Sequence, residues 1–178
     1  SRRESQSPEG LSLLGQLLQM PDCAMRVVHL NAFLAGPTPF SALIDSGGLG
    51  AASCLQELHM CGCELGVAGE GEAVIERLAS ALQANTRLTS LELSDNGFAA
   101  GASEMILKGL SLAPAPQQLR RLVLTKSGVN CAGAALAATL LRSGGLQYLD
   151  LSDNAVGPAG AKALLSALVP ERTATSAK

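Results

Sequence analysis

The nine-residue phrase LTSLELSDN at residues 88–96 returns at residues 146–154 as LQYLDLSDN, so the chain writes L-x-x-L-x-L-S-D-N twice. Self-similarity of this kind constrains a fold more tightly than composition does, because it calls for copies of one structural unit stacked side by side. No single copy can bury its apolar side alone, so neighbours must cover it. Alternation inside the phrase predicts a short strand that points Leu91 and Leu93 to one face and the residues between them to the other.

The same frame fits three weaker copies. LRRLVLTKSGV at residues 119–129 keeps leucine at its first, fourth and sixth positions, with Ser127 where the strong copies have Asn96 and Asn154. LQELHMCGCEL at residues 55–65 fits with Met60 at the sixth position and Cys63 at the ninth. The weakest match, MRVVHLNAFLA at residues 25–35, puts Met25, Val28 and Leu30 in the core slots. Starts at Met25, Leu55, Leu88, Leu119 and Leu146 lie roughly 30 residues apart, which leaves room for a helix after every strand.

Those helices are visible as near copies of each other, GAALAATLL at residues 133–141 and GAKALLSAL at residues 160–168. Their small residues, Gly133, Ala134, Ala137, Gly160, Ala161 and Ala163, are expected to let neighbouring helices pack closely. The Gly-rich residues 67–71 and the APAP run at 113–116 read as loops beside the helices. A further helix is expected over residues 8–20, with Ser7 as N-cap and Pro8 at its first position. It either caps the first strand or stands for the helix of a preceding repeat. The last helix is expected over residues 158–169, where the array closes. The domain expectation is therefore a disordered polar tail at 1–7, one repeat domain over 8–169 and a second disordered tail at 170–178.

These copies, above all LSDN followed by a Gly- and Ala-rich helix, resemble the ribonuclease-inhibitor class of leucine-rich repeats over residues 25–169. The resemblance implies an α/β solenoid of about five repeats plus an N-terminal helix, with a curved parallel sheet on the concave face and helices on the convex face. It implies a non-catalytic protein-interaction scaffold, a subunit or fragment of a larger assembly, that binds its protein partner through concave strand residues. Two other members of the class suggest alternative roles: the sensing repeat region of a NOD-like receptor, and a GTPase-activating protein like the activator of Ran.

Composition removes several other classes. A net charge of -2, without any cluster of five or more Lys and Arg, argues against nucleic acid as partner. The longest small-apolar run, residues 131–141, is too short to span a membrane as a helix, and residues 1–10 lack the apolar core of a secretory signal. Five cysteines at irregular spacing read as reduced thiols, which makes the cytoplasm the expected location. No nucleophile elbow, P-loop, H-E-x-x-H or dinucleotide fingerprint is present, so neither enzymatic activity nor a cofactor is expected.

The frame also assigns the outward side chains. One column reads Val27, Glu57, Ser90, Arg121, Tyr148, and the next reads His29, His59, Glu92, Val123, Asp150. Beyond the strands come Asn31, Cys61, Ser94, Thr125, Ser152, and then Ala32, Gly62, Asp95, Lys126, Asp153. Members of a column sit on neighbouring strands about 4.8 Å apart. From these the expected partner-binding residues are Glu92, Asp95, Arg121, Lys126, Tyr148, Asp150 and Asp153. Tyr148, the one tyrosine in a chain without tryptophan, is the expected anchor together with Arg121. Lys126 between Asp95 and Asp153 forms an order of charges that either orients a partner or pairs within itself. His29, His59, Cys61 and Glu92 are zinc-ligand types in one region, but their spacing matches no metal motif and no metal is expected. Cys61 and Cys63 should face opposite sides of the sheet.

Overall fold

The structure is a computed structural model that describes residues 8–31, 37–50, 54–66, 71–99, 101–113 and 118–169. The tails expected at 1–7 and 170–178, most of the two loops expected at 67–71 and 113–116, and Ala32 of the outermost column lie outside the described residues.

Strands and helices alternate along the chain: α1 Pro8–Leu18, β1 Val27–His29, α2 Pro37–Asp45, β2 Glu57–His59, α3 Gly71–Ala84, β3 Ser90–Glu92, α4 Ala102–Ser111, β4 Arg121–Val123, α5 Cys131–Arg142, β5 Tyr148–Asp150 and α6 Gly157–Leu168. The strands form one parallel sheet in the order β1-β2-β3-β4-β5. Each helix packs against the next, so the molecule is an α/β solenoid with its sheet on one side and its helices on the other. The register is that of the repeat frame, running Val27, Glu57, Ser90, Arg121, Tyr148 across all five strands. The weakest sequence copy thus pairs in step with the others.

The core lies between the sheet and the helices. The middle residues Leu58, Leu91 and Leu122 are fully buried, and Met60, Leu93 and Leu124 continue the layer just past each strand. On α3, Val74, Ile75, Leu78 and Leu82 fall on one helical face and meet this layer. Burying one such leucine contributes about 1.5–3 kcal/mol.

The ninth position of each copy carries a second, polar layer. Asn96 is fully buried, and its Nδ2 donates to Met60 O at 2.6 Å and to Leu93 O at 2.8 Å, while Cys63 N donates to its Oδ1 at 2.7 Å. Asn154 repeats the arrangement with Leu124 O at 2.7 Å and Leu151 O at 2.9 Å, and accepts from Ser127 N and Val129 N at 2.9 Å each. Where serine or cysteine replaces asparagine, the reach survives in part: Ser127 Oγ donates to Leu93 O at 3.4 Å, and Cys63 Sγ to Leu30 O at 2.9 Å. Each side chain therefore bonds to the sixth-position carbonyl of the preceding repeat. This ladder satisfies buried backbone groups that the short strands leave unpaired.

Three sequence expectations are corrected. The first helix stops at Leu18 rather than 20, because Pro21 pushes Met20 away from helical backbone geometry. The last helix ends at Leu168, with Val169 extended ahead of Pro170 for the same reason. Among the small helix residues, Gly133, Ala134, Ala137 and Gly160 are buried, but Ala161 is exposed and Ala163 half-buried. No described element covers the far side of α6, where Leu165 and Leu168 are 63% and 64% exposed. Leu146, Leu149 and Leu151 are accordingly half-buried where Leu119, Leu122 and Leu124 are buried. At the other end α1 packs on α2 within the helix layer, as the helix of a preceding repeat would, and β1 remains the edge strand.

Candidate protein-binding face

Each strand is three residues long, so its middle side chain enters the core and the two flanking ones face the concave side. Register then brings side chains of all five strands into one continuous row. The His29 and His59 rings stack with centroids 4.3 Å apart and planes 5° from parallel. His59 Nδ1 lies 3.1 Å from Glu92 Oε2, and Arg121 Nη1 donates to the same oxygen at 3.1 Å. The Arg121 guanidinium in turn sits over the Tyr148 ring, with its Cζ 5.0 Å from the centroid. The row reads imidazole, imidazole, carboxylate, guanidinium, phenol.

Glu92 is the hub of this row. Desolvation pushes its carboxyl up, but hydrogen bonds from Cys61 and Arg121 and the charges of Arg121 and His59 outweigh it and hold the group below its usual range. The Cys61 thiol is pushed up to about 11, first by burial and then by its hydrogen bond to Glu92. Asp150 is also lowered, chiefly by hydrogen bonds from Ser152, whose backbone N–H donates to Asp150 Oδ1 at 2.9 Å. Glu92 and Asp150 therefore stay ionised at neutral pH, while the Cys61 thiol stays protonated.

Expected site residues divide into two sets. Glu92, Arg121 and Tyr148 are joined as described, and Asp150 lies beside them in register, within the field of Arg121. Asp95, Lys126 and Asp153 instead occupy left-handed turns after the strands, with φ of 56°, 50° and 56°. All three are exposed, and among the described residues no ion pair joins Lys126 to either aspartate. Three outward columns are less open than the frame implied, and Ser94 is one of the buried residues. Ser90 and Val123 are buried, because each is a short side chain lying in register between longer ones, Glu57 and Arg121 in one case and Glu92 and Asp150 in the other.

The zinc-ligand types pair with one another rather than gather as three ligands around one point. The parallel stack turns ring faces, not nitrogens, toward each other, and Glu92 takes up His59 Nδ1. Among the described residues no three His, Cys, Asp or Glu groups are placed to hold a metal ion. No described helix is long and apolar enough to cross a membrane.

The comparisons agree with this geometry. A family model described as "Leucine Rich repeat" matches residues 146–165, which hold the second strong copy and the start of its helix. Ribonuclease inhibitor of Mus musculus is 35% identical over 101 residues, 56% of this chain. The chain is similar to leucine-rich repeat proteins of the ribonuclease-inhibitor-like class. The matched segment spans 22% of that relative's length, so the two share a stretch of repeats rather than a whole molecule.

In this leucine-rich repeat array, sequence reasoning put Arg121 and Tyr148 among the expected binding residues and left His59, Glu57 and Cys61 in the outward columns without a binding role. His59 Nε2 is buried without a hydrogen-bond partner among the described residues and lies 3.9 Å from Glu57 Oε2. The available signal was the column itself, in which His29, His59 and Glu92 are consecutive. What was missing was side-chain direction, because a column gives neighbours and not which atoms meet.

Proposed function

We propose that residues 8–169 act as one leucine-rich repeat domain, a non-catalytic scaffold that binds a protein partner on its concave face, with Tyr148 and Arg121 as anchors. The observation that carries this reading is the Arg121–Tyr148 stack: a half-exposed aromatic ring held by a guanidinium that Glu92 fixes from the other side. An aromatic and an arginine already ordered in the free protein lose little rotamer freedom on binding, which is what an interface anchor requires. Asp95, Lys126, Asp150 and Asp153 surround them as charges that orient the partner. The relative's name, ribonuclease inhibitor, denotes a protein acting on a protein, which supports a protein as the ligand class.

Carboxylates outnumber cations on this face, which disfavours nucleic acid. All five cysteines are free thiols, as suits the cytoplasm, the location we assign. The test is capture from the native source with wild type and the Arg121→Ala/Tyr148→Ala double variant, followed by calorimetric titration of each protein retained. A partner that binds wild type and loses at least about tenfold in affinity to the double variant supports the reading, a change of about 1.4 kcal/mol. Equal binding by the two proteins would move the interface to the helical face or the ends.

A further inference from the structure

We infer that the open edge of β5, together with the outer side of α6, is the interface of a two-fold dimer in which a second copy of this chain covers the end of the solenoid. Comparison of α6 with α5 shows what this end lacks. GAALAATLL at residues 133–141 aligns with GAKALLSAL at residues 160–168, which puts Leu165 at the position of Ala138 and Leu168 at that of Leu141. Ala138 and Ala134 are fully buried, and a Cβ on Gly160 would stand 2.8 Å from the Ala134 Cβ, so α6 covers this side of α5. The same side of α6 carries Leu165 and Leu168 into the open, and Val169 after it is 65% exposed. Residues 170–178 hold no leucine, isoleucine, valine, methionine or aromatic residue with which to cover them.

The sheet edge at this end suits a copy of itself. Tyr148 N donates to Arg120 O and Asp150 O accepts from Leu124 N, each at 2.9 Å, so alternation turns the N–H and C=O of Leu149 to the open side. An antiparallel pair centred on Leu149 exchanges two hydrogen bonds between the two copies of this residue. Directly opposite residues point to the same face, so both helix layers fall on one side of a continuous sheet and α6 meets α6. That register also sets Asp150 of each copy opposite Tyr148 of the other. With Arg121 over the Tyr148 ring, each carboxylate meets a phenol and a guanidinium, and no like charges stand directly opposite.

The other end of the array does not offer this seat. There α1 packs on α2 as the helix of a repeat without a described strand of its own. Laid against α6, α1 of a second copy would leave β5 facing an empty strand position. A two-fold contact avoids that gap and closes at two copies. The dimer needs no other protein, so its test stands apart from that of the concave face.

The test is sedimentation equilibrium of the full chain over about a hundredfold range of concentration, with amide hydrogen exchange at both limits. The expected mass rises from the 18.1 kDa of one chain and levels off at twice that value, while the Leu149 amide exchanges more slowly at the higher concentration. Leu165→Glu/Leu168→Glu, checked for native circular dichroism, should raise the dimer dissociation constant at least about tenfold. Leu13→Glu/Leu17→Glu, on the exposed side of α1, should leave it unchanged. A monomer at every concentration, a mass that grows past two copies, a dimer without protection of Leu149, or one that survives the α6 substitutions or is broken by those on α1 would overturn the inference.

Discussion

The Cζ atom of Arg121 lies 5.0 Å from the centre of the Tyr148 ring, across the β4–β5 boundary of the concave face. A cation held over an aromatic face contributes about 0.5–1 kcal/mol at an exposed site. With one tyrosine and no tryptophan in the chain, the ring's fluorescence reports this contact directly. Arg121→Ala should change Tyr148 emission and lower stability by roughly that amount. Arg142→Ala, on the exposed end of α5, should leave the emission unchanged.

Asn96 and Ser127 occupy equivalent positions with unequal bonding. Removing the Asn96 side chain leaves Met60 O, Leu93 O and Cys63 N short of partners in a buried site. Asn96→Ala should therefore cost about 2–3 kcal/mol, and more if water does not replace the amide. Ser127→Ala loses only bonds of 3.4 and 3.2 Å and should cost about 1 kcal/mol or less. Urea unfolding of the two variants checks the order, and equal losses would contradict the ladder.

Gly109 of α4 lies close against the backbone of Ala79 in α3. A Cβ built there would stand 2.4 Å from Ala79 O, a backbone atom that has no freedom to turn aside. In an exposed helix the change from glycine to alanine gains about 1 kcal/mol, but here overpacking should reverse the sign and cost about 1–3 kcal/mol. Thermal unfolding of Gly109→Ala tests this, and a raised Tm would show that the helices separate easily.

Acid stability should depend on Glu92. Its folded-state carboxyl titrates below the unfolded one, so the stabilisation is fully present above the unfolded value near 4.5 and is lost as pH falls through the lowered folded value. Glu92→Gln should flatten that part of the acid limb while leaving the slope above it little changed. Denaturant midpoints measured between pH 6 and pH 2.5 supply the comparison, and parallel curves for wild type and variant would count against the assignment.

Cys61, with a thiol near 11, should remain protonated at pH 8 and resist iodoacetamide. Cys131 is exposed and should be modified first. Mass spectrometry of a timed alkylation series reads the order. Early labelling of Cys61 would mean that its hydrogen bond to Glu92 does not hold in solution.

How much of this was open to sequence reasoning differs by level. The L-x-x-L-x-L frame predicted five parallel strands in order and every strand pair in register, including the copy starting at Met25, which matches it least well. It worked because a repeat must satisfy the same burial at every copy, so apolar spacing and strand position are one constraint. The proposed anchors Arg121 and Tyr148 were found by the same route.

What the frame did not contain is which atoms meet. That His59 and Arg121 share one Glu92 oxygen, that Lys126 stands apart from its flanking aspartates, and that Val123 is covered while Tyr148 is open depend on side-chain length and rotamer across neighbouring strands. The repeat sequence by itself determined the scaffold and the column to which each residue belongs. Only the tertiary structure decided the contacts within and between columns, because these arise from packing between copies that the chain keeps far apart in sequence.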